Sequence, residues 1–118
     1  VDLSMNNLSA GLDCLADGII ANDRIVCLKL KNNNIDGRQM QEVLSSLVMN
    51  HPSLTSIDLG NTDNIQNRNR IYDEGINGLL DGIIKSEYSL ISELHLQSAF
   101  ITSDGLSRLH MITRNTDL

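Results

Sequence analysis

Cys27, Asp58 and His95 supply a thiol, a carboxylate and an imidazole, the three group types from which a nucleophile, an orienting acid and a general base are assembled. Lys29, Lys31, Asp2, Glu93 and Gln97 lie within a few residues of them and offer charge and hydrogen-bonding capacity instead. The first set would mean covalent chemistry and the second recognition of a charged partner. Which reading holds depends on whether the chain brings thiol and imidazole within about 3 Å of one another. That is decided by the elements that carry them.

Those elements show as a repeat. Aligned on Leu3, Leu30, Leu59 and Leu96, the chain reads "VDLSMNNL", "IVCLKLKNNNI", "LTSIDLGNT" and "ISELHLQSAFI". Each segment has apolar residues two apart: Val1 and Leu3, Leu28 and Leu30, Ile57 and Leu59, Leu94 and Leu96. This is the alternation of a short strand with one face turned to a core. After the first three strands come the stripes Leu12/Leu15/Ala16/Ile19/Ile20, Met40/Val43/Leu44/Leu47/Val48 and Ile76/Leu79/Leu80/Ile83/Ile84. Spacing of i, i+3, i+4, i+7, i+8 is one face of an α-helix. The unit is therefore strand, turn, helix, which gives parallel strands with crossover connections. The strand spacings are 27, 29 and 37 residues. A polar stretch at 63–70, an insertion of about eight residues, accounts for the long one as a surface loop.

The pattern LxxLxLxxNxI in "IVCLKLKNNNI", followed by a full helix at a period near 28, resembles a leucine-rich repeat. "NHPSLTSIDL", "IYDEGINGLL" and "FITSDGLSRL" are similar to segments of the ribonuclease-inhibitor-like subfamily, and the resemblance covers residues 1–109. It implies an α/β leucine-rich-repeat solenoid, a horseshoe arc with a parallel sheet on the concave face and helices on the convex face. About four repeats are expected in a single domain over 1–118: 1–24, 25–53, 54–90 with the insertion 63–70, and 91–118. The repeat's asparagine falls at Asn6 and Asn33, but by strand spacing the later units hold Thr62 and Ala99 there. Those two units are expected to lack the full side-chain ladder. Of Asn32, Asn33 and Asn34, only Asn33 is expected to be a fixed structural residue.

The residues between the inward positions face solvent and form rows across the sheet. One row is Cys27, Ser56, Glu93; the central row is Asp2, Lys29, Asp58, His95; the third is Ser4, Lys31, Gly60, Gln97. Cys27 and His95 then sit two strands apart in different rows, roughly 10 Å from each other, which argues against an enzyme. His51, before Pro52, and His110, in the last helix, do not converge with His95. The rows read either as a mixed-charge binding surface or as a solvated face whose neighbours pair for stability. Asp2, Lys29, Lys31, Asp58, Glu93, His95 and Gln97, with Arg68 and Arg70 from the insertion, are the candidate partner-binding residues. The insertion reads either as an added specificity element or as an excursion with no partner.

A formal charge of −6, with no basic cluster, excludes nucleic acid as the main partner. At 41% hydrophobic and 20% charged residues, the chain has a globular composition with no apolar run of membrane length. No glycine-rich phosphate loop or metal-ligand spacing appears, so no cofactor is expected. Cys14 and Cys27 read as reduced thiols and place the chain in the cytoplasm, or with the cytoskeleton. The last stripe loses its apolar character at His110, Thr113 and Arg114, while Met111 and Ile112 offer an alternative register. Val1 begins within a strand with no polar cap ahead of it. The expectation is a piece of a longer array, with flanking repeats or self-association at the N-terminal edge. The function expected is a non-catalytic protein–protein interaction scaffold. The resemblance also admits a regulator of another enzyme, of GTPase-activator or nuclease-inhibitor type, and a structural spacer in a cytoskeletal or ciliary assembly remains an alternative.

Overall fold

A computed structural model describes residues 1–63, 66–85, 90–98 and 100–104. A 3-10 turn, Ser9–Gly11, leads into α1 (Leu12–Ala21) and then β1 (Cys27–Lys29). The second helix is α2 (Gly37–Gln39), a π-helical stretch at Met40–Leu44 and α3 (Ser45–Asn50), running without a break. After it come β2 (Ser56–Asp58), α4 (Tyr72–Lys85) and β3 (Glu93–His95). Strand and helix alternate as the two periodicities require.

The strands form one parallel sheet in the order β1-β2-β3. Leu28 pairs with Ile57 and Ile57 with Leu94, so Lys29, Asp58 and His95 stand side by side, as do Cys27, Ser56 and Glu93. A parallel bridge between Asp2 and Lys29 adds the first segment to the edge. Its N–H groups at Leu3 and Met5 donate to the carbonyls of Lys29 and Lys31, both at 2.9 Å.

One face of the sheet is closed by the helices. Leu28, Leu30, Ile57 and Leu59 are fully buried against Leu12, Leu44, Leu47, Ile76, Leu79 and Leu80. Burial of such side chains contributes about 1.5–3 kcal/mol each before chain entropy is counted. The helices lie against one another, α1 on α3 and α3 on α4. Gly78 lets α4 approach closely, since a Cβ there would run into the Gln41 side chain. The apolar stripe of α4 is narrower than its spacing predicts. Ile84 is 53% exposed, whereas Val48, its counterpart 36 residues earlier, is buried. The positions expected to form the last helix stripe, Leu106, Leu109, His110, Met111 and Ile112, and also Ala99, lie outside the described residues.

Two devices fix the helix ends. At the start of α2, the Gln39 N–H donates to Asp36 Oδ1 (2.9 Å) and the Asp36 N–H to Gln39 Oε1 (3.2 Å), a reciprocal capping box. At the end of α3, the C-cap residue His51 is buried. Its Nε2–H donates to the Ile19 carbonyl (2.9 Å), and Nδ1 accepts from the N–H groups of Ser53 (3.1 Å) and Leu54 (2.9 Å). The ring thus ties the exit of α3 to the end of α1.

The asparagine ladder differs most from the sequence expectation. Asn33 behaves as expected: it is buried, and its Oδ1 accepts the N–H groups of Asn6 (2.9 Å) and Leu8 (3.3 Å) from the preceding unit. Its Nδ2 donates to Leu3 O (2.9 Å) and Lys31 O (3.2 Å). The next rung is Asn69, not Thr62. Asn69 Oδ1 accepts from Asn33 N (3.0 Å) and Ile35 N (2.9 Å), and Nδ2 donates to Leu30 O (2.8 Å), Leu59 O (3.1 Å) and Gly60 O (3.3 Å). Each partner of Asn69 in the preceding unit is the equivalent, 27 residues on, of one used by Asn33. The third unit therefore keeps its rung.

The insertion must be moved accordingly. Asn69 follows Asn33 by 36 residues, as Ile71 follows Ile35 and Leu80 follows Leu44, whereas the strands are 29 apart. Seven residues, 62–68, are inserted ahead of the asparagine, in place of 63–70 after it. Asn61 clamps the base of this loop, accepting the Asn69 N–H at Oδ1 (2.7 Å) and donating from Nδ2 to the Asn69 carbonyl (2.8 Å). Asn32, expected to be replaceable, is fully buried at a left-handed φ of 52°. It accepts the Thr62 N–H (2.8 Å) and donates to the Gln66 carbonyl (3.2 Å). Asn34, exposed at φ 59°, gives its N–H to the Asn67 carbonyl (2.8 Å). The loop is anchored to the turn of the previous unit.

Candidate functional site

On the sheet face opposite the helices the row residues lie as strand register places them, and their environments differ sharply. Asp58 is only 8% exposed, although alternation alone turns it to solvent. It stands on the middle strand with a neighbour on each side. Lys31 Nζ reaches its Oδ2 at 3.5 Å, and the Gly60 N–H donates to its Oδ1 at 3.1 Å. Lys31 is half-buried. These two candidates hold each other and are less available to a partner than their neighbours. Gly60, in the third row, is buried, and the chain at Gln97 runs beside it, with the Asn61 N–H donating to the Gln97 carbonyl at 2.7 Å, so close that a Cβ on Gly60 would lie 2.8 Å from the Gln97 backbone N and O.

The exposed members are Asp2, Lys29, Glu93, His95 and Gln97. Asp2 Oδ1 accepts the Ser4 N–H at 3.0 Å. That bond, with the Ser4 hydroxyl and the charge of Lys29 after it, holds the Asp2 carboxyl below the usual aspartate range. Asp2 caps Ser4 as Asp58 caps Gly60, so one Asp-x-Ser/Gly device recurs two strands apart. Glu93 Oε2 accepts from Ser56 Oγ (3.4 Å) and lies 3.3 Å from His95 Nε2. The face carries a cation at Lys29, a carboxylate at Asp2, and an imidazole–carboxylate pair at His95 and Glu93.

The thiol and the imidazole are not brought together. β2 separates Cys27 from His95, and the hydrogen bond of His95 goes to Glu93. Among the described residues, no three His, Cys, Asp or Glu side chains come close enough to hold a metal ion. None of the described helices is long and apolar enough to cross a membrane.

Arg68 and Arg70 do not extend the face. Arg68 is half-buried in the clamped insertion. Arg70 follows the ladder asparagine and lines a groove of about 550 Å³ with Asp13, Asp36, Arg38, Gln39 and Glu42; none of the row residues lines it. Within that groove Arg38 is paired with Glu42 and Asp36 caps α2.

Three residues to which the sequence reading gave no structural role are structurally decisive: Asn69, placed in the insertion, Asn32, expected to be replaceable, and His51. Asn69 had a readable signal, because Asn69–Ile71 repeats the spacing of Asn33–Ile35 and Asn6–Leu8. No protein-family model matches the chain, and no curated protein matches its sequence.

Proposed function

We propose that the chain is a stretch of leucine-rich-repeat solenoid of the ribonuclease-inhibitor-like kind, and that it acts as a non-catalytic scaffold gripping another protein on its open sheet face. One observation carries this reading: parallel register lines up Asp2, Lys29, Glu93, His95 and Gln97 as exposed polar side chains on the face opposite the helices. Side chains fixed at strand spacing on a rigid sheet form a preorganised surface, which lowers the ordering cost of binding. Their mixed signs select a partner of complementary pattern more than they add raw affinity. The repeat and the ladder serve to hold this surface. The free thiols of Cys14 and Cys27 support a reducing, cytoplasmic setting.

Lys29→Glu reverses the exposed cation of the central row, and Arg24→Glu makes the same charge change away from the sheet. Capture of a partner on immobilised protein is expected to fall at least tenfold for Lys29→Glu and to be unchanged for Arg24→Glu. Equal loss in both would reduce the effect to net charge, and no loss in either would remove the sheet face as the binding surface.

A further inference from the structure

The helix side of the molecule holds a second surface, and we propose that the groove between α1 and the second helix docks a short, basic amphipathic helix of a partner protein. Two adjoining cavities, of about 550 and 130 Å³, share Asp13, Glu42 and Val43 as walls. Ala16, Ile20 and Val43 give the smaller one its apolar lining, and Asp13, Asp17 and Glu42 its carboxylates. Short side chains stand along this seam. Ala16 holds the stripe position of Leu44 and Leu80, and Val43 that of Leu79, and all three leucines are fully buried. Ile20 and Val43 are only half-buried. The wall from the second helix is its π-helical stretch, Met40–Leu44, which carries Glu42 and Val43. It is the one π-helical stretch among the described residues. Such turns are rare inside α-helices and frequently sit at functional sites.

Charge selects the occupant. Asp13 and Asp17 are exposed and four residues apart on α1, so both project from one helix face and repel each other. Asp13 accepts the Cys14 N–H at 2.9 Å, and among the described residues neither carboxylate forms an ion pair. Glu42, across the groove, is paired with Arg38 at 3.2 Å. Arg38 and Arg70, with Asp36, line only the larger cavity, so the smaller one has three carboxylates and no cation among its described lining residues. A lysine or arginine set between Asp13 and Asp17 relieves their repulsion, while apolar residues of the same segment cover Ile20 and Val43. Along α1 the groove runs from Asp13 to Ile20, about 10 Å or two helical turns. That length matches anchors at i, i+3 or i+4 and i+7 of a helix laid in a groove. An extended peptide finds no strand edge here, because both walls are helices whose backbone groups are paired internally.

The test titrates the isotope-labelled full chain with a designed helical peptide carrying leucines on one face and lysines beside them. Amide NMR signals of α1 and the second helix are expected to shift. One comparison peptide has a central proline, which breaks the helix, and another has glutamate in place of lysine; both are expected to bind about tenfold more weakly or worse. Asp17→Lys should weaken the basic peptide by about tenfold, and Asp23→Lys, the same charge change on an exposed residue outside the groove, should leave it unchanged. Equal binding of the proline or glutamate peptide overturns the proposal, as do equal losses in the two variants or shifts confined to other elements. Lys29→Glu lies on the opposite face and should not alter peptide binding, so failure here and failure of the sheet-face reading are separable.

Discussion

Replacing Asn69 by alanine should be among the most damaging single changes in the chain. The amide is fully buried, and its Oδ1 is the acceptor for two backbone donors, Asn33 N and Ile35 N, at 3.0 and 2.9 Å. Both donors lie in buried residues. Alanine leaves them unpaired at about 1–3 kcal/mol each, and the three carbonyls served by Nδ2 lose a donor as well. A total on the order of 3–5 kcal/mol is expected, a large share of a domain stability of about 5–15 kcal/mol. Asn33→Ala should cost less, on the order of 1–3 kcal/mol, because the donors to its Oδ1, the N–H groups of Asn6 and Leu8, belong to an exposed and a half-buried residue. Thr62→Ala, at the position strand spacing alone assigns to the ladder, should fall within about 0.5 kcal/mol. Urea unfolding checks the order directly: with a slope of about 2 kcal/mol per M, Asn69→Ala should move the midpoint down by about 2 M. A cost below that of Asn33→Ala, or equal to that of Thr62→Ala, would falsify the register of the insertion given above.

Asn32→Ala should cost about 1–3 kcal/mol and open residues 62–68 to limited proteolysis, since its amide joins Thr62 N and Gln66 O; unchanged cleavage would show that the loop is held otherwise. Gly60→Ala should destabilise by about 1–3 kcal/mol by forcing the Gln97 backbone away, measurable as a lower melting temperature; a neutral result would mean that the Gln97 segment yields without cost and would refute the tight packing inferred here. Asp2 has a lowered folded-state pKa, so its contribution is present at neutral pH and is lost as pH falls through the acid range below the ordinary aspartate value. An NMR titration of Asp2 should show that lowered midpoint in the wild type and a rise towards the ordinary value in Ser4→Pro, which removes the Ser4 N–H.

Strands and helices were legible because burial imposes their periods directly: Leu28, Leu30, Ile57 and Leu59 alternate, and Leu12, Ala16 and Ile19 recur at helical spacing. The rows followed from the same alternation, since parallel strands stack equivalent residues. Asn69 is harder to find because the strand ruler stops being valid once seven residues leave the repeat; its return is marked in the sequence by the short Asn69–Ile71 spacing alone. The burial of Asp58 was hidden because alternation gives a side chain's direction but not the height of its neighbours. Here the Lys31 side chain reaches across to Asp58 on the middle strand. The left-handed backbones of Tyr72 and Phe100 run against residue preference, so no propensity could announce them.

The binding role of the sheet face is tested most directly by photo-cross-linking from single sites. A benzophenone side chain at position 29, in the central row, is compared with one at position 17, exposed on α1. One discrete partner should cross-link from position 29 and not from position 17, and the product should disappear when Glu93 and Asp2 are both changed to lysine. Cross-linking from position 17 alone, or a product from position 29 that survives both charge reversals, would contradict a scaffold that grips its partner through the open face.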